Sequence, residues 1–190
     1  MEITPSITPD AAGLKVLAHP VRLEALGMLR VEGPATATML AQRLGLNSGA
    51  TSYHLRQLAQ HGFIEEDTER GNGRERWWRA SHRATRTSAE GLAPDDPVHD
   101  LYGSYLHAVA DVYDGKVRRA LDEQSSLPQA WQDVSMISDW VLQVRPEQAR
   151  ALLERLVEEI QDFPETTDDD PEGAAYCLQV QAFPLPGRLS

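Results

Sequence analysis

Apolar residues recur at helical spacing over the first sixty residues of the chain, and turn or capping residues separate the periodic segments. Four helices are predicted there: residues 11–18 behind an Asp10 cap, a helix from Pro20 to about Gly33, one capped by Thr36 or Thr38 and ended by Gly45, and one capped by Asn47 or Ser48 and ended near His61. The N-terminal part of the chain is therefore predicted to be a small helical domain.

The fourth predicted helix has an apolar face and a polar face. At 100° per residue, Thr51, Leu55, Leu58 and Ala59 share one face. The opposite face carries Gly49, Tyr53, Arg56, Gln57 and Gln60. Because a fully buried helix would be apolar all round, this outer face is predicted to be exposed and free to contact a partner.

A β-hairpin is predicted directly after this helix. Residues 63–67 and 74–80 read as strands, and the sequence from Arg70 to Gly73 (RGNG) is a strong turn signal between them. Side chains alternate along a strand, so Arg74 and Arg76 should point to one side of the hairpin and Arg79 to the other. Helix, turn, helix and hairpin in this order predict a winged helix-turn-helix over residues 10–84, whose second helix fits the DNA major groove.

The second half of the chain changes character after a predicted linker at residues 85–97. A long amphipathic helix is predicted over residues 98–121. Its apolar surface is larger than one solvent-facing helix needs, which favours a dimer interface. The residues predicted at that interface are Leu101, Tyr105, Leu106, Val109, Val112 and Tyr113.

The last third of the sequence alternates between strand and helix patterns. Residues 134–144 and 176–182 alternate as strands do, and a helix that opens at Pro146 lies between them. The fold class predicted for the whole chain is thus α+β and mainly α: a winged helix-turn-helix, a long dimerisation helix and a small C-terminal β-α-β unit. Residues 98–190 are predicted to form a dimerisation and possible effector domain, with Trp131 and Trp140 as candidate walls of an apolar effector cleft.

The charge of −11 is unevenly distributed. Residues 1–88 hold 11 Lys and Arg against 9 Asp and Glu, whereas residues 89–190 hold 7 against 20. Six arginines and one glutamate fall within residues 70–86. A basic hairpin beside an acidic second domain favours local contact with DNA phosphates, and the acidic half would help to orient the protein on DNA.

Several function classes find no support in the sequence. The one cysteine, Cys177, excludes an internal disulfide and is expected to be buried. No signal segment, membrane-spanning run, nucleophile elbow or phosphate loop is present, so a cytoplasmic protein that is not an enzyme and uses no cofactor is expected, without membrane contact.

Four segments together resemble the ArsR family of bacterial winged-helix regulators. These are residues 17–23 (LAHPVRL), 40–46 (LAQRLGL), 51–58 (TSYHLRQL) and 62–64 (GFI). The resemblance covers about residues 10–82 and implies a dimeric repressor that leaves its operator when an effector binds. Founding members hold metals through a Cys-x-Cys motif, which residues 33–39 lack. Other members bind zinc through Asp and His on the terminal dimer helix; His99, His107 and Asp111 lie near there without that spacing, so they are only weak candidates for a metal site.

The predicted DNA-binding residues lie on the fourth helix and the hairpin: Ser48, Gly49, Ser52, Tyr53, Arg56, Gln57, Arg74 and Arg76. The sequence as a whole predicts a homodimeric, sequence-specific transcriptional repressor that binds an inverted-repeat operator in double-stranded DNA and is released by a small-molecule effector. Two alternatives remain open, namely a metal-responsive repressor of the same fold and a winged-helix protein-interaction module that does not bind DNA.

Overall fold

The computed structural model of the chain describes residues 6–70, 75–87, 96–167 and 170–188. The chain divides into two compact units, Met1–Glu123 and Gln124–Ser190. The helices of the first unit are α1 (Ala11–Leu17), α2 (Pro20–Val31), α3 (Ala37–Leu44), α4 (Ser48–Gln60) and α5 (Pro97–Glu123). Its strands are β1 (Ser6–Ile7), β2 (Ala35–Thr36), β3 (Ile64–Glu66), β4 (Trp77–Ala80) and β5 (Ala84–Thr85).

The five predicted helices of the first unit are present, and capping residues set their ends. Asp10 caps α1, because its side chain accepts a hydrogen bond of 2.8 Å from the backbone N–H of Gly13. Pro20 occupies the first position of α2, where its missing N–H costs nothing. Gly45 ends α3 with a φ of 65°, a left-handed conformation that favours glycine.

The strands β3 and β4, which follow α4, join β2 in a three-stranded sheet of order β2-β4-β3, and both strand pairs are antiparallel. β3 and β4 pair in the register that places Glu65 opposite Arg79 and Ile64 opposite Ala80. These strands are shorter than the predicted 63–67 and 74–80. Gly71, Asn72, Gly73 and Arg74 of the predicted hairpin lie outside the described residues.

The start of the predicted linker at residues 85–97 is structured. β5 pairs in parallel with β1, and Thr85 is one of its two residues. Arg30 of α2 fixes this segment: its Nε donates to the carbonyl oxygen of His82 at 2.9 Å and its Nη2 donates to Oγ1 of Thr85 at 2.9 Å. Burial lowers the pKa of the Arg30 guanidinium. The segment after β4 is therefore tied to the helical core.

The hydrophobic core of the first unit lies where α1, α2, α3, α4 and the three-stranded sheet meet. Its most deeply buried large side chains are Leu17, Leu26, Leu40, Leu55, Leu58, Phe63 and Ile64. Helix α5 also contributes, because Tyr105 and Ala108 are buried and Leu101, Tyr102 and Val109 pack against the same cluster. By its contacts α5 thus belongs to the N-terminal unit, whereas the sequence pattern had grouped it with residues 98–190.

The second unit contains a short 3₁₀ turn (Gln124–Ser126), α6 (Gln129–Asp133) and α7 (Pro146–Gln161). Helix α7 is present where the sequence predicts it. Its apolar stripe, which includes Leu152, Leu156 and Ile160, is solvent-exposed.

The two strands predicted for the second unit are not formed. Residues 134–144 and 176–182 are described in full and contain no strand. A hydrogen bond of 2.7 Å from Tyr176 Oη to the carbonyl oxygen of Val134 links the two segments, but a strand requires a backbone ladder. The apolar residues Ile137 and Val141 also fall on the predicted polar face of the strand 134–144, which weakens its alternation of apolar and polar residues. Cys177, expected to be buried, is exposed.

Replacement of Leu55 by alanine should destabilise the first unit strongly. The Leu55 side chain is fully buried in the core, so its truncation leaves a cavity that should lower the free energy of unfolding by about 2–5 kcal/mol. Chemical denaturation would measure the loss. Val31→Ala, at an exposed position of α2, is the control and should stay within about 0.5 kcal/mol of the unaltered protein. Equal effects of the two substitutions would contradict this description of the core.

Candidate nucleic-acid interface

The starts of α3 and α4 are each fixed by a side-chain cap. The Thr36 hydroxyl accepts a hydrogen bond of 3.3 Å from the N–H of Met39, and Asn47 Oδ1 accepts one of 2.8 Å from the N–H of Ala50. Of the alternatives left open by the sequence, Thr36 and Asn47 are the caps, and Thr38 and Ser48 are not. Ser48, the first residue of α4, therefore keeps its hydroxyl free of this capping bond.

The inner face of α4 is completely buried. Thr51, Leu55 and Leu58 are fully shielded from solvent, and the Thr51 hydroxyl donates to the carbonyl oxygen of Asn47 at 3.1 Å. This anchoring leaves the opposite face outward, where the Tyr53 side chain is 53% exposed. Gly49 and Arg56 are also exposed, and Gln57 is half-buried. The predicted separation of faces is present.

An open groove of about 450 Å³ runs between the start of α3, the exposed flank of α4 and the strand β4. Four of the predicted DNA-binding residues line it, namely Ser48, Ser52, Arg56 and Arg76. The other residues that line it are Thr36, Ala37, Thr38, Glu75 and Trp78. The structure therefore brings hydroxyl groups and two guanidinium groups from separate elements into one concave surface.

The arginines of this groove are held by local contacts. Arg56 Nε donates to the carbonyl oxygen of Ser52 at 3.1 Å. Arg76 Nε lies 3.1 Å from Glu66 Oε2, and its guanidinium lies 5.5 Å from the ring centroid of Trp78. The pairing with Glu66 is exposed, so it is worth little and a phosphate can replace the carboxylate.

Two other arginines of the hairpin, Arg79 and Arg70, do not line the groove. Arg79 binds Glu65 across the β3–β4 pair at 2.8 Å and does not line the groove. Arg70 lies 3.5 Å from Asp67 and 5.9 Å from the ring centroid of Trp77. Arg74, one of the predicted DNA-binding residues, lies outside the described residues.

Sequence reasoning did not assign Thr38, Glu75 and Trp78 to this surface. The sequence pattern indicates Thr38 only as a possible helix cap, whereas its position at the start of α3 brings it to the groove. Trp78 is buried, and it forms the floor against which Arg76 lies. The sequence signal for Trp78 is the alternation along the predicted strand 74–80, which places Trp78 on the same side as Arg76.

The residues predicted at a dimer interface divide into two groups on α5. Tyr105 is buried within its own chain, and Leu101 and Val109 pack beside it. Leu106 is 44% exposed, and Val112 and Tyr113 are half-buried. Part of the apolar surface attributed to a dimer thus serves the internal core, and the Leu106 side remains uncovered.

The weak metal candidates His99, His107 and Asp111 are exposed along α5. The structure, over the ranges that it describes, contains no group of three or more His, Cys, Asp or Glu side chains that could hold a metal ion.

The two tryptophans predicted to line an effector cleft differ in their surroundings. In the second unit, the ring centroids of Trp131 and Tyr176 are 6.3 Å apart, whereas Trp140 is 72% exposed. No described helix is long and apolar enough to cross a membrane.

The profile of a helix-turn-helix domain family matches residues 17–67 of the chain. The match begins at the end of α1 and includes α2, α3, α4 and β3. A search of curated proteins found no match. The chain carries a helix-turn-helix domain near its N-terminus, and the match supports a DNA-binding transcriptional regulator as its class of function.

Replacement of Asn47 by alanine should destabilise the protein more than replacement of its neighbour Ser48. Asn47→Ala removes the cap of α4 and should lower the free energy of unfolding by about 1 kcal/mol. Ser48→Ala removes an exposed hydroxyl that caps nothing and should change it by less than about 0.5 kcal/mol. Urea denaturation of the two variants makes the comparison. A larger loss in Ser48→Ala would contradict the assigned cap.

Proposed function

We propose that this protein is a homodimeric, sequence-specific DNA-binding repressor of the winged helix-turn-helix type that resembles the ArsR family. The observation that carries the proposal is the groove in which Ser48, Ser52, Arg56 and Arg76 meet. Helix α4 enters the major groove with its outer face, and the β3–β4 hairpin contacts the flanking backbone. The match to a helix-turn-helix domain over residues 17–67 supports this reading.

The side chains of α4 are suited to different contacts with DNA because their chemistry differs. Arg56 can form two hydrogen bonds with guanine or one contact with a phosphate. Ser48 stands at the helix start, where both its hydroxyl and the free backbone N–H groups favour an anionic phosphate. Tyr53 and Gln57, further round the outer face, are the side chains that would reach bases or sugars.

A homodimer is supported by the uncovered side of α5. At 100° per residue Leu106, Ala110, Val117 and Leu121 form a stripe beside the Tyr105 face that is buried in the core. Pairing of this stripe with a second copy would bury it and place two copies of α4 about one helical turn of DNA apart. An inverted-repeat operator follows from that two-fold symmetry.

Release by an effector completes the proposal. The acidic second half of the chain supplies no predicted DNA contact, and its exposed apolar side chains, Trp140 among them, favour a small organic molecule over an inorganic ion. Cytoplasmic location is part of the same proposal, since the operator is there.

The test begins with selection of bound duplexes from a random DNA pool, and affinity is then measured on the enriched sequence. The double variant Arg56→Ala with Arg76→Ala should lose specific binding. Arg76→Ala alone should lower the slope of log affinity against log salt by about two for a dimer, because one phosphate contact is lost in each half.

Arg79→Ala is the matched control for these variants. Arg79 has an exposed ion pair similar to that of Arg76 but does not line the groove, so its removal should leave specific affinity within about threefold. Enrichment of no sequence, or unchanged affinity of the double variant, would overturn the proposal and favour the protein-interaction module.

A further inference from the structure

Two histidines and an arginine meet where the start of α2 contacts α4. His19 is the N-cap residue of α2, Arg22 lies in its first turn, and His54 projects from α4. The ring centroids of His19 and His54 are 4.7 Å apart, and the ring of Tyr53 lies 5.6 Å from that of His54. We refer to His19, Arg22 and His54 as the histidine–arginine cluster.

The cluster holds polar atoms that lack partners. Nδ1 of His19, Nδ1 of His54 and Nε of Arg22 are shielded from solvent and make no hydrogen bond with any described part of the chain. His19 also forms no side-chain cap on α2, so the positive end of that helix is uncompensated here. By contrast, Arg76 and Arg79 in the hairpin are paired with glutamates. Among the residues that the structure describes, the cluster is therefore a cationic site without a counter-charge.

Two further titratable residues lie next to the cluster, one on α1 and one on α4. Helix α1 supplies Lys15, whose backbone oxygen accepts a bond of 3.5 Å from Arg22 Nη2, and α4 supplies Tyr53. Burial, and then the charge of Arg22, lowers the pKa of His19. Burial lowers the pKa of His54, and both His19 and Arg22 add to the effect. Both imidazoles are thus mainly neutral near pH 7 in the free protein.

The cluster lies on the flank of α4 that faces away from the groove. At 100° per residue, Ser52 and Arg56 fall on one side of the outward direction of α4 and His54 falls on the other. An α-helix with its side chains is about 10–12 Å across and the DNA major groove is about 12 Å wide. A helix that fills the major groove therefore has a phosphate backbone along each flank.

We infer that His19, Arg22 and His54 form a second phosphate-binding site, which contacts the DNA backbone on the opposite flank of α4 from the groove. The inference rests on the proposed DNA-binding function. A phosphate suits the site better than a metal ion, because the guanidinium of Arg22 repels a cation and attracts an anion. The phosphate supplies the counter-charge that the cluster lacks.

Occupation of this site couples DNA binding to protons. A phosphate beside the imidazoles favours their charged form and raises their pKa values above those of the free protein. DNA binding then takes up protons, so affinity increases as the pH falls. Between the bound and the free pKa values, each histidine contributes up to about a tenfold gain in affinity per pH unit.

The experiment measures affinity for the enriched duplex at constant salt from about pH 8 to about pH 6, a range that includes the ordinary histidine pKa. As the pH falls over this range, the affinity of the unaltered protein for the duplex should increase about tenfold or more for each protomer's cluster. His54→Gln and His19→Asn should each lose a large part of that increase. His107→Gln, an exposed histidine on α5, is the matched control and should keep the full gain.

A second measurement uses only the unaltered protein, so it does not require that any variant folds. Histidine titration by NMR, on the free protein and on the complex, should show that the pKa values of His19 and His54 rise when DNA binds. Specific binding with no pH dependence, or with unchanged pKa values for both histidines, would overturn the inference and leave the proposed function intact. Failure to enrich any duplex would instead overturn the proposed function.

Discussion

Burial of one face of α4 is the constraint on which the interface depends. Thr51, Leu55 and Leu58 are fully buried, and this fixes the rotation of the helix about its own axis. Every other α4 side chain takes its direction from that rotation. Ser52 and Arg56 meet the groove, Tyr53 points outward, and His54 meets the start of α2. A helix free to rotate could not hold these groups on separate flanks.

The features that were predicted from sequence are those set by local chemistry. Apolar spacing and capping residues located the helices α1 to α4, and alternation placed Arg76 on the same side as Trp78, with which it lines the groove. The histidine–arginine cluster could not be found in this way, because His19 and His54 are 35 positions apart and meet only through tertiary packing. The choice of Asn47 over Ser48 as a cap likewise required the backbone geometry.

The sequence was less informative about the function of apolar surface. Periodicity showed that α5 has a broad apolar face, but it could not distinguish the internal role of Tyr105 from the exposed position of Leu106. Alternation at residues 134–144 and 176–182 predicted two strands, yet a strand exists only when a neighbour completes its backbone hydrogen bonds. These outcomes depend on contacts between distant residues, which a local pattern does not encode.

The most direct test of the central claim is hydrogen–deuterium exchange of the whole protein with and without its enriched duplex. If the outer face of α4 and the adjoining strand β4 are the DNA-contacting surface, DNA should slow amide exchange in residues 48–60 and 75–80 and leave α7, at residues 146–161, unchanged. Slower exchange confined to residues 124–188, with none in α4, would contradict the account.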